Sequence, residues 1–239
     1  MRRHSLIVMI AAALAVAPSL TAGAQVPDPI AGAPGAAEYP NEDGLIVQQM
    51  DRWTLAADGT VERHHEWALK MLSAYLTRND YFDPTIDWND GRATMRVDQA
   101  RTYMVDGTPV DAAANSLVPN TSIAFNHAVP YAQMRQMVVA HVGVEHGATS
   151  ITAYTVDDRA PTGVPLWGVV ELQNIVPILD HWITIEVPAG TALHTGGVFC
   201  DLKADKESKD GLDSYTFHRT KVPTAHTTEA GHGHHGMHQ

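Results

Sequence analysis

The segment from residue 45 to residue 71 constrains the fold most, because it alternates polar and apolar side chains beside an Asp-Gly pair. One parity carries Val61, Trp67, Leu69 and Met71, and the other carries Glu62, His64, Glu66 and Lys70. A period of two is typical of a strand with one buried face. Ala57-Asp58-Gly59 joins this run to the one from Leu45 to Ala56, and Asp-Gly at such a junction indicates a hairpin.

Further strands are predicted along the chain. Runs at 92–105, 134–144, 151–156, 181–187 and 215–222 are separated by Gly, Pro, Asn and Asp, with a second turn at Asp106-Gly107. The run at 134–144 has apolar residues on both parities, which predicts a strand covered on both sides. No stretch of ten residues after the first 24 carries a convincing helical stripe. The prediction is an all-β chain, folded as one antiparallel, two-sheet β-sandwich-like domain.

The N-terminus has the three parts of a cleavable signal peptide, predicted over residues 1–24. Arg2 and Arg3 precede an apolar run from Leu6 to Ala17, and Ala22-Gly23-Ala24 supplies the small residues of a cleavage site. Twelve apolar residues are too few to cross a bilayer as a helix, which takes roughly 20. We therefore expect export to the periplasm or the medium, with no membrane span after cleavage.

Three further regions follow the signal peptide. Residues 25–40 are rich in Pro, Ala and Gly and predict a flexible linker. Residues 41–223 form the predicted folded domain, and residues 224–239 form a histidine-rich tail too poor in apolar residues to pack. Losing two arginines with the signal takes the net charge from −11 to −13, which argues against nucleic acid as a partner.

Several motifs, in order, resemble those of a bacterial domain of unknown function that commonly precedes a transglutaminase-like domain in exported proteins. They are Leu55-Ala56-Ala57-Asp58-Gly59-Thr60, Tyr81-Phe82-Asp83-Pro84, Ala100-Arg101-Thr102 leading to Asp106-Gly107-Thr108-Pro109-Val110, Val144-Glu145-His146-Gly147, Ile183-Thr184-Ile185-Glu186-Val187-Pro188-Ala189-Gly190, Tyr215-Thr216-Phe217 and Val222-Pro223. The resemblance covers about residues 39–223. It implies a β-rich domain without catalytic residues, because the Cys-His-Asp triad belongs to the following domain. This sequence ends 16 residues after Pro223, so the expectation is a domain without that enzyme.

The sequence context of the candidate reactive residues indicates structural roles for them. Cys200, the single cysteine, follows a strand-like run and lacks the helix N-terminus that activates a catalytic thiol. His64 and His65 are neighbours on a strand and so point to opposite faces, while His64 and Glu66 share one face. His141, Glu145 and His146 are expected at a strand end and turn, with surface or packing roles rather than a metal site.

The tail is the one candidate metal site. His232, His234, His235 and His238 lie within seven residues, with Met237 among them and glycines between. Imidazole suits Zn(II), Cu(II) and Ni(II), and a thioether adds affinity for Cu(I). The alternative is a solvated tail without a metal role.

The sequence thus predicts a non-enzymatic exported domain that binds or scaffolds a protein or peptide, with a transglutaminase-like protein as one possible partner. Two alternatives stay open at this point. One is capture of copper, zinc or nickel by the tail. The other is a truncated part of a transglutaminase-like enzyme.

Overall fold

A computed structural model describes residues 28–76, 83–121, 133–159, 168–196 and 203–225. The predicted signal peptide, Cys200 and the four tail histidines lie outside these residues. One turn of helix, α1 (Asp28–Ala31), precedes eleven strands. These are β1 (Gly44–Leu55), β2 (Thr60–Met71), β3 (Thr85–Asn89), β4 (Ala93–Tyr103), β5 (Pro109–Asp111), β6 (Leu117–Thr121), β7 (Met134–Val139), β8 (Thr149–Arg159), β9 (Ile178–Pro188), β10 (Asp205–Lys209) and β11 (Leu212–Val222).

The strands form two sheets, which confirms the all-β, two-sheet prediction. The larger sheet has eight strands in the order β10-β11-β9-β1-β2-β8-β4-β5, and the smaller has three in the order β3-β7-β6. A 3-10 turn at Ala114–Ser116 leads into β6. Within the described ranges, no helix is long and apolar enough to cross a membrane.

The first hairpin forms as the sequence predicts. β1 and β2 pair antiparallel, with Leu55 opposite Val61 and Asp51 opposite His65. Gly59 has a φ of +86°, a conformation that glycine adopts without the Cβ penalty of other residues. The Asp58 side chain accepts a hydrogen bond of 2.9 Å from the Thr60 backbone N–H and so fixes the turn.

The centre of the large sheet departs from a purely antiparallel pattern, because β1 pairs parallel with β9. Gln49 lies opposite His181 in this pair, and β11 then adds antiparallel to the far side of β9. A parallel pair needs a long crossover connection, and seven strands, β2 to β8, separate β1 from β9 along the chain. Local turn signals do not reveal such a pairing.

The prediction that residues 134–144 form a strand covered on both sides is wrong, because β7 of the small sheet is mostly half-buried. Strand β7 ends at Val139, and Val139 is its one fully buried residue while the other five are half-buried. A strand is buried on both faces only when other elements pack on both sides of its sheet, and β7 is covered to that extent only at Val139. Apolar residues on both parities therefore did not mark a core strand here.

Two hydrophobic clusters lie on opposite faces of the large sheet. The larger contains Ile46, Leu69, Met71, Leu76, Val176, Ile178 and Val222, with Trp67 and Val144 packed against it. The smaller contains Ile30, Val47, Ala68, Tyr103 and Ile151 and is covered in part by the chain around α1. The predicted buried parity of β2 is confirmed at Val61, Leu69 and Met71, all at most 2% exposed.

Candidate functional site

A cavity of about 590 Å³ opens on the face of the large sheet that carries the larger cluster. We call it the cleft. Strands β1, β2 and β8 form its floor, and the chain leading into β3 and the segment 169–174 form its sides. The residues lining it are Ile46, Gln49, Asp51, Trp53, Arg63, His64, His65, Trp67, Leu69, Asp83, Pro84, Thr85, Asp87, Tyr154, Val156, Val169, Val170, Glu171, Gln173 and Asn174.

Strand alternation explains why polar and aromatic side chains meet on this floor. Asp51 and Trp53 share one face of β1, and in the hairpin they lie opposite His65 and Arg63. On the other side of β2, His65 lies opposite Tyr154 of β8. The same face of three adjacent strands therefore carries an acid, two bases and a phenol.

Asp51 is the centre of a buried hydrogen-bond network. Its carboxylate accepts from His65 Nδ1 at 2.5 Å, from His181 Nε2 at 2.8 Å and from Gln49 Nε2 at 3.2 Å. Burial alone would raise the pKa of Asp51, but the hydrogen bonds and charges of His181 and His65 outweigh it and hold that pKa well below its usual range. Asp51 is thus an anion that fixes both imidazole rings.

His181 anchors this network from beneath the cleft. Its side chain is completely buried, and Nε2 is the nitrogen that meets Asp51. Among the described residues, Nδ1 has no hydrogen-bond partner. His181 reaches Asp51 only because β9 pairs parallel with β1, since Gln49 and His181 are opposite in that register.

Aromatic rings surround His65. Its ring centroid lies 4.9 Å from that of Trp67 and 5.4 Å from that of Tyr154, and Trp67 and Tyr154 meet edge to face. Burial, with the nearby charge of Asp51, raises the pKa of Tyr154 to about 12. The phenol therefore keeps its proton and can act as a hydrogen-bond donor.

Arg63 supplies a positive charge beside these rings. Its guanidinium carbon lies 4.9 Å from the centroid of the Trp53 ring, a cation–π contact. The Nε atom is buried, and within the described part of the chain it has no hydrogen-bond partner. By contrast, Arg92, Arg96 and Arg101 each pair with a carboxylate.

The Trp53 ring packs closely against Gly168. A Cβ on Gly168 would come within 1.8 Å of the Trp53 ring, so any larger residue would have to displace the indole. This contact sets the position of the ring on which Arg63 rests.

The structure separates the histidines considered in the sequence. His64 and His65 do point to opposite faces, as predicted, and His64 Nε2 lies 3.9 Å from Glu66 on the outer face. His64 also contacts Thr155 and Asp98 there. Across the described ranges, no group of three or more His, Cys, Asp or Glu residues could hold a metal ion.

His141, Glu145 and His146 have separate structural contacts, in agreement with the predicted packing roles. His141 Nε2 lies 2.8 Å from the Thr152 hydroxyl, and Glu145 accepts from the Val105 backbone N–H at 3.0 Å. His146 Nε2 lies 2.9 Å from the Leu72 carbonyl oxygen. Because the four tail histidines and Cys200 lie outside the described residues, the metal prediction stays a prediction.

Sequence reasoning missed the network around Asp51, although part of it was accessible. A hairpin closed at Ala57-Asp58-Gly59 places Leu55 opposite Val61, so counting outwards places Asp51 opposite His65. Both then face the same side as Leu69 and Met71. No comparable signal exists for His181, which depends on the long-range pairing of β1 with β9.

The fold and the cleft together define an all-β, two-sheet domain with a polar and aromatic cavity. The chain belongs to the family DUF3857, a domain of unknown function with a solved structure, whose sequence profile matches residues 57–225. No curated protein matches the chain.

Solved structures resemble this domain over part of their length. A candidate protease from Parabacteroides distasonis is 27% identical with a TM-score of 0.74, and the match covers 78% of this chain and 37% of that one. An M1 zinc metallopeptidase from Deinococcus radiodurans is 13% identical with a TM-score of 0.37, covering 76% and 40%. The second likeness is too low to support an argument. The chain spans well under half the length of either protein.

Proposed function

We propose that this domain is a non-catalytic binding module that holds a segment of another polypeptide in the cleft. The observation that carries the proposal is the combination of Arg63, which has no carboxylate partner among the described residues, with the rings of Trp53, Trp67 and Tyr154. Ligand sites are concave, largely apolar and aromatic, and carry a few placed polar groups. A polypeptide offers both apolar side chains and regularly spaced polar groups.

The absence of catalysis is part of the proposal and has its own support. An imidazole held by a carboxylate can act as a general base, but it needs a hydroxyl or thiol within reach to drive nucleophilic chemistry. His65 Nδ1 is bonded to Asp51, and among the described residues no hydroxyl or thiol is hydrogen-bonded to the other ring nitrogen, Nε2. The pair therefore works here as a rigid, polar part of the cleft floor.

The setting of this function is outside the cytoplasm, as the N-terminal residues favour. A transglutaminase-like protein is one partner that fits the resemblance described above. The tail histidines, from His232 to His238, could add metal binding as a separate property of the chain.

A pool of random tripeptides offered to the purified full chain would test the binding function. We expect retention of a subset of tripeptides on the immobilised protein, detected by mass spectrometry, and recovery of that subset uncleaved. Trp53→Ala should reduce retention by removing the ring that supports Arg63. Cleavage of the peptides, or retention that Trp53→Ala leaves unchanged, would contradict the proposal.

A further inference from the structure

The floor of the cleft carries two hydrogen-bond donors on neighbouring strands. Arg63 of β2 lies opposite Val156 of β8, and Tyr154 lies two residues from Val156 on the same face. Side chains related in this diagonal way have Cβ atoms roughly 7–8 Å apart, within reach of long side chains that converge on one group. The guanidinium of Arg63 and the phenol of Tyr154 therefore stand on the same face of neighbouring strands, and both line the cleft.

Neither donor is engaged by a carboxylate of the cleft. Asp51 accepts from His65 and His181, Asp83 accepts from the His141 backbone N–H, and Asp87 accepts from Gln136. Throughout the described residues, no acid forms an ion pair with Arg63. The Nε atom is shielded from solvent and has no partner in the described ranges, so part of the guanidinium charge is uncompensated. An anionic ligand in the cleft would compensate that charge through the two terminal nitrogens of the guanidinium.

The guanidinium of Arg63 is also preorganised to bind a planar anion. Its contact with the Trp53 ring restrains it, so less side-chain entropy is lost when it binds. A carboxylate matches the guanidinium fork with two parallel hydrogen bonds, and Tyr154 can donate a third bond. Because the pKa of Tyr154 is raised, the phenol does not ionise and repel the anion.

The sides of the cleft carry two exposed acids. Asp87 and Glu171 are exposed there and line the same cavity. These charges favour a ligand with a negative group towards Arg63 and a positive group towards Asp87 and Glu171. A cavity of about 590 Å³ falls within the usual range for small ligands, roughly 300–1,000 Å³, so a short segment fits and a folded domain does not.

We propose that the cleft binds short peptides with a free C-terminal carboxylate, which pairs with Arg63 and Tyr154. This inference rests on the proposed binding function and names its ligand class. The peptide's ammonium or a basic side chain lies towards Asp87 and Glu171. Apolar side chains pack against the aromatic floor.

The test compares two pools of random tripeptides, one with free C-termini and one amidated, on the full chain. We expect the free pool to be retained about tenfold or more over the amidated pool, because a hydrogen-bonded charge is lost on amidation. Equal retention of both pools would overturn the carboxylate assignment while leaving peptide binding intact. Retention of neither pool would overturn the proposed function as well.

Single substitutions test which residues produce the preference for peptides with a free C-terminus. Arg63→Gln should abolish the preference for the free pool, and Tyr154→Phe, which keeps the ring, should reduce it several-fold without changing retention of amides. Arg52→Gln is the matched control, because Arg52 is exposed on the opposite face of β1. Thermal melts establish that each variant is folded. A preference that survives both Arg63→Gln and Tyr154→Phe in folded protein would contradict the inference.

Discussion

The carboxylate of Asp51 lies 2.5 Å from His65 Nδ1 across the β1–β2 hairpin, and its other oxygen lies 2.8 Å from His181 Nε2 on β9. One buried anion on β1 therefore links the neighbouring strands β2 and β9 to it.

Replacing Asp51 by asparagine (Asp51→Asn) removes the negative charge while nearly preserving the shape of the side chain. Losing hydrogen bonds to a buried carboxylate typically costs about 3 kcal/mol, and we expect a loss of that size in the free energy of unfolding, measured by urea denaturation. Asp87→Asn, at an exposed acid of the same cleft, should change stability by less than about 0.5 kcal/mol.

The same network predicts a pH dependence with a defined sign. The folded-state pKa of Asp51 lies below its ordinary value of 3.8, so its contribution to stability is complete above that value and is lost as the pH falls further. Asp51→Asn should therefore show a shallower decline in stability below pH 3.8 than the unaltered protein. Parallel declines in the two proteins would show that Asp51 does not carry this dependence.

His141 predicts a second pH effect in a separate window. Burial lowers the pKa of His141 from 6.5 to about 4, because the charged ring would lose its hydration. The unfolded chain then takes up the proton first as the pH falls, and stability decreases from pH 6.5 towards pH 4 by as much as roughly 3 kcal/mol.

Denaturation curves across this window check the effect. His141→Gln, which keeps a neutral polar side chain near Thr152, should flatten the dependence between pH 6.5 and pH 4. His194→Gln, at an exposed histidine, should leave it unchanged. A flat curve for the unaltered protein would contradict the prediction.

The contact between Gly168 and Trp53 predicts a local effect on the cleft. Gly168→Ala places a methyl group 1.8 Å from the present ring position, so the indole must move and Arg63 loses its support. We expect a shifted tryptophan fluorescence maximum and at least a several-fold weaker retention of peptides. Gly196→Ala is the control, since a Cβ there meets no atom within 4 Å. Unchanged fluorescence in Gly168→Ala would show that the contact does not position Trp53.

The tail makes a prediction that is independent of the cleft. Titration with Cu(II), Zn(II) and Ni(II) should show at least one more bound ion in the full chain than in a version ending at Thr224. The physical reason is the local density of imidazoles at His232, His234, His235 and His238 on a glycine-rich backbone. Equal stoichiometry in the two proteins would leave the tail without a metal role.

Local sequence signals predicted the elements of this fold better than their long-range arrangement. The period of two and the Asp58-Gly59 turn gave the β1–β2 hairpin, and its register already placed Asp51 opposite His65. The parallel pairing of β1 with β9 was not predictable from turns, because it joins segments that are distant along the chain. For the same reason His181 and Tyr154 could not be assigned to one site with Asp51.

The position of β1 between β2 and β9 has a practical consequence for work on this family. The matched family region starts at residue 57, after β1 has ended. A fragment cut at that boundary would lack the strand that joins the two halves of the large sheet, and it would leave the edges of β2 and β9 unpaired. Unpaired edges of this kind recruit strands from other molecules, so such a fragment should aggregate. It would also lack Asp51 and Trp53, and with them much of the surface on which the proposed recognition depends.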